Sequence, residues 1–460
     1  MNKNLIKNRV GKTPLVRAKN LEKELGIKKI YLKLEGNNPS GQRADRLAFL
    51  LIKDAIDIGK DTICVGTGGF LTKSLAFLSQ YYDVNCVVIT PKNMKITDHE
   101  IFDKPNIEVI KYGETQADCL KQSKKLSKKH GWYNASPGIE NNMLNMTALS
   151  KISTELNRQV KEEKIDTVFS QLSYGFSVSG LDLGFRQLWV NEKIKTLPML
   201  YCCTTNKGNE IYESFKKDST KILPMTDDDI EVNEYNRHLI NLGSSVAQDA
   251  LDAIYDTNGK ITGIDHKELI YYVDKFKSLE NIELNISNSY PIAGFIKEAK
   301  KGNVKNGNHI ILLNDGKADI EIRDVTKEES ALTNKEIVQQ IDDWLMEYTD
   351  PKREIYEALD NAFEKGYVLF AYHNNDIAGI AIISNFDFEY FASKYHLSYI
   401  ATNRNIKGRG IATQLLTKAI DLSDGNISLH VEADNERAIK LYKKMGFEAP
   451  YYRMLHSLKE

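Results

Sequence analysis

The stretch that sets the fold is GKTPLVRAKNLEKELGIKKIYLKLEGNNPSGQRADR, residues 11–46, and its apolar run KIYLKLEG predicts a buried β-strand. Further β-rich runs follow it along the chain: DTICVGTG, VNCVVITP, IEVIKYG, DTVFSQLS, LPMLYCCT and HIILLNDG. Most of them precede an amphipathic helical stretch, such as LTKSLAFLSQYY at residues 71–82. Apolar strands that alternate with helices are typical of a mostly parallel sheet covered on both faces, so residues 1–320 are predicted to form an α/β domain.

The pattern changes near residues 319–326, where the polar strand IEIRDV opens a second unit. Two helical stretches, residues 336–348 and 352–366, precede a predicted hairpin whose turn is Asn-Asn-Asp. A strand LSYIAT, a loop NRNIKGRG, a helix, a strand ISLHVEA, a second helix and a last strand near RMLHSL follow. Residues 321–460 are therefore predicted to form a compact α+β domain.

The composition argues against several classes of protein. The 460 residues carry 62 Lys and Arg against 63 Asp and Glu, so the net charge is −1 and there is no surplus of cations for nucleic acid. No apolar run approaches the roughly 20 residues that span a bilayer, and the N-terminus lacks the apolar segment of a signal peptide. The five cysteines have no metal-ligand spacing. We therefore expect a cytoplasmic protein that binds no nucleic acid, no membrane and no metal.

The predicted strand-to-helix loop of the second domain has the composition of an anion site. Two glycines permit a tight turn, and the following helix aims backbone N–H groups and its positive end at the same place. Two basic side chains add charge there, which suits a pyrophosphate. The residues are Lys407, Gly408, Arg409, Gly410, Ile411 and Ala412. A two-glycine turn is also common without any ligand.

A second segment, VEADNERAIKLYKKMGFE, follows about 25 residues later. It places Asn435 at a helix start, with Ala438 and Tyr442 beyond it. Asn435 also fits a plain helix N-cap, and Tyr442 also fits a half-buried aromatic residue.

Together the two segments resemble the acetyl-CoA-binding motifs of the GNAT acyltransferase family. The first is similar to the Q/R-x-x-G-x-G/A loop, with Lys407 at the Q/R position, and the second to N-x-x-A-x-x-x-Y-x-x-x-G-F. The resemblance implies that acetyl-CoA is the co-substrate and that Lys407–Ala412 cradle its pyrophosphate. It also implies that the strand Tyr399–Thr402 binds the pantetheine arm through its backbone, with Ile400, Ala401 and Thr402 as contacts. Asn435 is included among the acetyl-CoA contacts by the same motif.

The same resemblance assigns roles in catalysis. Tyr442 would protonate the leaving CoA thiolate. Glu432, expected on the strand before Asn435, is a candidate base for the acceptor amine, although a surface position without a role is equally compatible.

The opening of the chain resembles fold-type II pyridoxal-phosphate (PLP) enzymes, the group of tryptophan synthase β, threonine synthase and cysteine synthase. The signature G-x-T-P-L is matched at Gly11, Thr13, Pro14 and Leu15. The signature E-x-x-N-P-T/S-G-x-x-K-D-R is matched at Glu35, Asn38, Pro39, Ser40, Gly41, Asp45 and Arg46. The resemblance implies a two-lobed domain over about residues 1–320. The family's Schiff-base lysine aligns with Ala44, whose methyl group forms no imine with PLP.

Three further positions depart from the family pattern. Phe70 aligns with the Asn of the substrate loop, Ser173-Tyr174-Gly175-Phe176-Ser177 with the Gly-rich phosphate loop, and Leu313 with the Ser/Thr at the pyridine nitrogen. Each alignment can slip by one residue. An engineered change at Ala44 alone would leave the other positions intact, so we expect natural loss of PLP chemistry and no covalently bound PLP. Lys73 and Lys53 are alternative amines.

Our first hypothesis is an N-acetyltransferase for an amino acid or related small amine, fused to a degenerate PLP-fold domain. The alternative is a bifunctional enzyme in which a PLP-dependent lyase, racemase or synthase domain works with the acetyltransferase and Ala44 is an engineered substitution. A third reading makes both domains ligand sensors or scaffolds. Family resemblance further suggests a homodimer through the N-terminal domain.

Overall fold

The computed structural model describes residues 9–66, 69–93, 99–138, 141–160, 163–240, 243–280, 282, 284–373, 376–387, 393–406 and 409–449. The chain divides into two compact units, and the boundary lies between Ala318 and Asp319. The boundary predicted between residues 320 and 321 falls two residues later.

Two sheets form the frame of the first unit in the described residues. Its strands are β1 (Leu15–Arg17), β2 (Ile30–Leu34), β3 (Thr62–Gly66), β4 (Asn85–Thr90), β5 (Ile107–Lys111), β6 (Tyr133–Asn134), β7 (Thr167–Gln171), β8 (Met199–Thr205), β9 (Lys260–Ile264) and β10 (His309–Leu313). The larger sheet has the order β1-β2-β10-β7-β8-β9, and the smaller has the order β5-β4-β3-β6. β1 and β2 are antiparallel and the other neighbours are parallel. The predicted mostly parallel architecture is confirmed.

Helices connect these strands and cover the sheets. They are α1 (Lys19–Leu25), α2 (Asp45–Asp57), α3 (Phe70–Ser79), α4 (His99–Phe102), α5 (Gln116–His130), α6 (Asn142–Gln159), α7 (Phe176–Val190), α8 (Glu210–Lys216), α9 (Ala247–Asp256), α10 (His266–Glu280) and α11 (Tyr290–Lys300). Every residue of β3 and of β10 is buried, as expected of strands in a covered parallel sheet.

The ends of α5 show how the sequence sets a helix boundary. Thr115 and Asp118 form a capping box at its start, in which each side chain accepts a hydrogen bond from the backbone N–H of the other residue. Gly131 ends the helix in the left-handed conformation with φ +71°. These local signals set both ends of α5.

The second unit is a single mixed sheet with helices. Its elements are β11 (Glu321–Asp324), α12 (Asn334–Leu345), α13 (Lys352–Lys365), β12 (Tyr367–His373), β13 (Asp376–Asn385), β14 (Tyr395–Thr402), α14 (Ile411–Leu422), β15 (Ile427–Leu429) and α15 (Glu436–Lys444). The strands lie in chain order, antiparallel up to β14, and β15 is parallel to β14. The predicted α+β class is confirmed. The turn at residues 374–375 and the strand predicted near RMLHSL lie outside the described residues.

Three short strands of the first unit, β1, β6 and β9, were not predicted. Strand β9, KITGI, contains a lysine and a glycine, so its intrinsic β-propensity is low. Its strand conformation depends mainly on parallel pairing with β8. Among the described helices, none is both long and apolar enough to cross a membrane. The described His, Cys, Asp and Glu side chains form no group of three placed to hold a metal ion.

Candidate functional site

Strands β14 and β15 form a fork. They pair only where Tyr395–Leu397 face Ile427–Leu429, whereas β14 continues to Thr402 with β13 on its other side. Beyond Leu397, no strand within the described ranges pairs with β14 on the β15 side, so backbone N–H and C=O groups along this edge are available to a ligand. The structure places Ile400, Ala401 and Thr402 on this edge, which is the arrangement that backbone recognition of an extended arm requires.

A β-bulge lies at the root of the fork. In the ladder between β13 and β14, Ile382 faces Tyr399 and Ile383 faces Leu397, so Ser398 is an additional residue of β14. The Ser398 hydroxyl lies 2.8 Å from the hydroxyl of Ser384 on β13. Bulges re-aim the side chains that follow them and are frequent beside active sites.

The loop after β14 ends at an uncapped helix N-terminus. Gly410 precedes α14 with φ +66° and ψ 24°, and among the described residues no side chain caps its first turn. A Cβ at Gly410 would meet no described atom within 4 Å, so the space beside Gly410 is open among the described residues. The free N–H groups and the positive end of this 12-residue helix suit a phosphate. Lys407 and Gly408 lie outside the described residues.

Arg409 is held by a carboxylate. Its Nη1 lies 3.3 Å from each carboxylate oxygen of Asp319, and both side chains are about half exposed. His373 Nε2 lies 3.5 Å from the same carboxylate. An exposed pair of this kind contributes little to stability, so Arg409 is free to exchange Asp319 for a stronger anion.

Tyr442 lies on α15 and is 9% exposed, within the apolar cluster that contains Leu415 and Leu416 of α14. Burial raises the pKa of its phenol above the ordinary value. The hydroxyl therefore stays protonated throughout the neutral range, as a proton donor must.

Asn435 and Glu432 have local structural explanations. The Asn435 Oδ1 accepts a hydrogen bond of 3.1 Å from the Ala438 N–H, which makes Asn435 the N-cap of α15. Glu432 is exposed and lies in the turn after β15. The expectation that Glu432 lies on the strand is wrong, because β15 ends at Leu429, where β14 diverges from it.

Sequence reasoning missed three side chains on the fork and one that bonds to it. Tyr399 donates a hydrogen bond of 2.9 Å to Asp350, which lies between α12 and α13. His396 and His430 have ring centroids 4.5 Å apart. Single histidines on strands are usually structural, and their proximity depends on the parallel pairing of β14 and β15, so the sequence carried no adequate signal.

In the first unit, Ala44 is the half-buried residue that precedes α2, and it packs against the apolar cluster of the smaller sheet. Of the two amines proposed as substitutes, Lys53 is far from Ala44. Lys53 is exposed, its Nζ lies 5.7 Å from the ring centroid of Phe49, and nine helical residues from Ala44 correspond to about 13 Å. Lys73 lies half-buried on α3.

The segment aligned with the Gly-rich phosphate loop, residues 173–177, keeps a glycine at the turn, but bulky residues flank this glycine. Gly175 precedes α7 with φ +99°, and a Cβ there would lie 2.8 Å from the Cβ of Ala250. Glycine is therefore required at this position. Tyr174 and Phe176, on either side, carry bulky side chains where the family loop offers bare backbone.

A neutral polar cluster lies beside this loop. Gln171 Nε2 lies 2.7 Å from His238 Nε2, and Asn314 Nδ2 donates to Gln171 Oε1 at 3.1 Å. Burial lowers the pKa of His238 to about 4, so the imidazole is uncharged at neutral pH. The Phe70 ring meets His238 edge to face, with centroids 5.9 Å apart.

Leu313 is fully buried in the apolar core of the larger sheet, so it does not reach this polar cluster. The residue that does is Asn314, the next along the chain, whose side chain is an amide. Ala44 itself carries no amine with which to form a Schiff base with PLP.

Comparison with known proteins confirms both predicted resemblances. A model of the family of pyridoxal-phosphate dependent enzymes matches residues 6–316, and a model of the acetyltransferase (GNAT) family matches residues 336–447. Threonine synthase of Methanocaldococcus jannaschii is 26% identical over 311 residues, 66% of this chain and 74% of the relative. Cysteine synthase of Staphylococcus aureus is 24% identical over 279 residues, 59% of this chain and 87% of the relative. The structure of threonine deaminase isoform 2 from Solanum lycopersicum shares the fold, with a TM-score of 0.57 at 16% identity over 68% of this chain and 86% of that chain.

Proposed function

Since the chain belongs to the family of pyridoxal-phosphate dependent enzymes through residues 6–316 and carries a GNAT acetyltransferase domain at residues 336–447, we propose that it is an acetyl-CoA-dependent N-acetyltransferase. Its acceptor is an amino acid or a related small amine. The observation that carries the proposal is the fork between β14 and β15, in the same unit as the uncapped N-terminus of α14 and the buried Tyr442.

Each part of this unit has one task in direct transfer from acetyl-CoA to the amine. The free edge of β14 at Ile400–Thr402 hydrogen-bonds the pantetheine arm through its backbone. The N-terminus of α14, together with Arg409, holds the pyrophosphate. Tyr442 donates its phenolic proton to the sulfur as the C–S bond breaks, so no free thiolate has to leave. No covalent acyl-enzyme is needed.

Calorimetric titration with acetyl-CoA tests the binding half of the proposal. The variant Gly410→Asp adds a negative charge at the N-terminus of α14, so we expect its acetyl-CoA dissociation constant to rise about tenfold. Gly425→Asp is the matched control. Gly425 also has a positive φ, of +78°, and open space around a Cβ, but it lies beyond the other end of α14. Equal affinity in both variants would contradict the assignment of the loop.

Thiol release and mass spectrometry of the product test the transfer half. Each of the protein amino acids is offered separately with acetyl-CoA, and an acetylated amine together with free CoA is the expected result. A protein that binds acetyl-CoA and transfers no acetyl group would instead support the sensor hypothesis.

A homodimer through the first unit remains a prediction, which sedimentation analysis can test.

We further propose that the first unit has lost PLP chemistry. Titration with PLP, followed by visible absorbance, borohydride reduction and mass spectrometry, is expected to give no lysine adduct because position 44 is alanine. A reducible adduct on Lys73 or Lys53 would contradict this.

The variant Ala44→Lys separates the proposal from its alternative. Because Phe70, Tyr174 and Phe176 also depart from the family, we expect this variant to remain colourless. The retained left-handed Gly175 before α7 is the observation that favours the second candidate function, a bifunctional enzyme with one changed residue. A yellow Ala44→Lys protein beside a colourless parent would support that second function.

A further inference from the structure

The fork has two faces with different chemistry. Leu397, Ile427 and Leu429 point into the apolar cluster that contains Tyr442, so this face looks toward α14 and α15. Side chains alternate along a strand, and His396 therefore points to the opposite face. His396 also pairs across the ladder with Ser384, whose hydroxyl donates to the Ala358 carbonyl of α13 at 3.4 Å. The opposite face is thus the one on which α13 packs.

His396 and His430, the histidine pair, lie on that face at the root of the fork. The His396 Nδ1 is 2.9 Å from the Ser428 hydroxyl, and the ring is 8% exposed. The His396 ring stacks on the ring of Phe386, with centroids 5.6 Å apart and an interplanar angle of 26°. His430 follows the last paired residue of β15 and is exposed, so His396 is fixed and His430 faces solvent.

The rim of this face is acidic. Asp350 accepts the Tyr399 hydrogen bond, and the Asp350 and Glu354 charges together help raise the pKa of Tyr399, after burial and that hydrogen bond. Cations on the neighbouring elements are paired with carboxylates: Lys352 and Lys365 of α13 with Asp342 and Asp387, and Arg404 after β14 with Glu347 at 3.9 Å. On the segment of His430 itself, Glu432 is exposed. Such a rim attracts a cationic amine rather than an anion.

From these contacts we infer that His430 is the base that deprotonates the acceptor, a small cationic amine entering from the α13 face, and that His396 is a positioning residue for it. This inference rests on the proposed acetyl transfer. Imidazole suits the task because it gains and loses a proton near neutral pH. The donor and the acceptor then approach the acetyl carbon from opposite faces of the sheet.

The step balances with the groups on these two faces. The ammonium gives one proton to His430, and the neutral amine attacks the acetyl carbon. The C–N bond forms, the C–S bond breaks, and Tyr442 protonates the sulfur. The new amide nitrogen loses its second proton, which restores the Tyr442 phenol, and His430 releases its proton to solvent.

The test is the pH dependence of kcat/KM for the full chain and the variant His430→Gln, with acetyl-CoA and each protein amino acid and putrescine as probes. We expect kcat/KM at neutral pH to fall about 10²-fold, and the limb that reports an imidazole to vanish. The rate of the variant should then rise with pH until the amine itself is neutral. Affinity for acetyl-CoA should be unchanged. His266→Gln, an exposed histidine in the first unit, is the matched control.

The variants also separate the roles. His396→Gln should lower kcat/KM less and displace the imidazole limb along the pH axis, which a purely structural change would not do. An unchanged pH profile in His430→Gln, or loss of the limb in Glu432→Gln instead, would overturn the inference. A parent protein that binds acetyl-CoA and acetylates none of the probes would overturn the small-amine acceptor. A parent that does not bind acetyl-CoA would overturn the proposed function itself.

Discussion

Replacing Tyr442 by phenylalanine is expected to lower kcat for acetyl transfer by about 10²–10⁴-fold, the usual contribution of a positioned proton donor. The phenol is buried, and burial raises its pKa, so the parent donor stays protonated well above neutral pH. Without it, the thiolate leaves unprotonated. The ring itself packs unchanged among the apolar residues of α14, so the fold and the KM for acetyl-CoA should be preserved.

Steady-state kinetics over a range of pH measure this effect. In the parent, kcat should not decline until the pH approaches the raised pKa of Tyr442, whereas in the variant no such decline should occur. Tyr271→Phe, at an exposed tyrosine of the first unit, serves as the control and should leave kcat unchanged. Full activity in Tyr442→Phe would show that water protonates the thiolate, and Tyr442 would then be a packing residue.

Local sequence patterns predicted most of this fold. Apolar runs such as DTICVGTG and HIILLNDG are recognisable because both faces of a covered sheet are buried, and the strands that they contain, β3 and β10, are buried throughout. The boundary near Asp319 was visible because the period and the polarity of the sequence change there together. The strands that were missed are short, and β9 is specified mainly by its partner β8.

The site was less predictable because it depends on pairing. The extent of the ladder between β14 and β15 decides where the fork opens, and no local pattern encodes it. The bulge at Ser398 reverses which face each later residue of β14 occupies, so Tyr399 reaches Asp350. A sequence motif pointed to the loop before α14 and to Tyr442, whereas the histidine pair could be recognised only from the strand register.

The same limit applies to the alignment at Leu313. The motif fixes a residue type near a strand end, but only the register of β10 with β2 shows which residue is the last one in the core. Leu313 is that residue, and Asn314 is the first to meet the polar cluster around Gln171. An alignment by pattern alone leaves this choice open, because both positions follow an apolar run.

Replacing Arg46 by glutamine is expected to destabilise the first unit by about 3–5 kcal/mol, because it leaves buried carboxylates without their main partner. Arg46 is 4% exposed and makes ion pairs of 2.7 Å with Glu35 and with Glu155. Lys33, fully buried, is bonded to Glu155 at 2.8 Å and cannot replace Arg46 at Glu35. The cluster joins β2, α2 and α6, so its loss acts on the whole unit.

Unfolding in urea measures the change, followed by the fluorescence of Trp132 and Trp189 in a Trp344→Phe background so that only the first unit reports. Arg186→Gln is the matched control, since Arg186 is partly exposed and its ion pairs with two aspartates should contribute much less than the buried cluster. An equal decrease in the free energy of unfolding in the two variants would contradict the conclusion that the buried cluster contributes more to stability than a partly exposed ion pair.

The pH dependence of this difference gives an independent check on its cause. Burial alone would raise the pKa of Glu35, and the charge and hydrogen bonds of Arg46 instead hold it below its ordinary value. A carboxyl whose pKa is lowered in the folded state contributes stability above its unfolded pKa and loses that contribution as the pH falls through the folded pKa. As the pH falls, the free energy of unfolding of the parent should therefore decrease faster than that of Arg46→Gln. The difference in stability between the two proteins should narrow. A gap that stays constant down to the acid transition would mean that packing, rather than charge, makes Arg46 necessary.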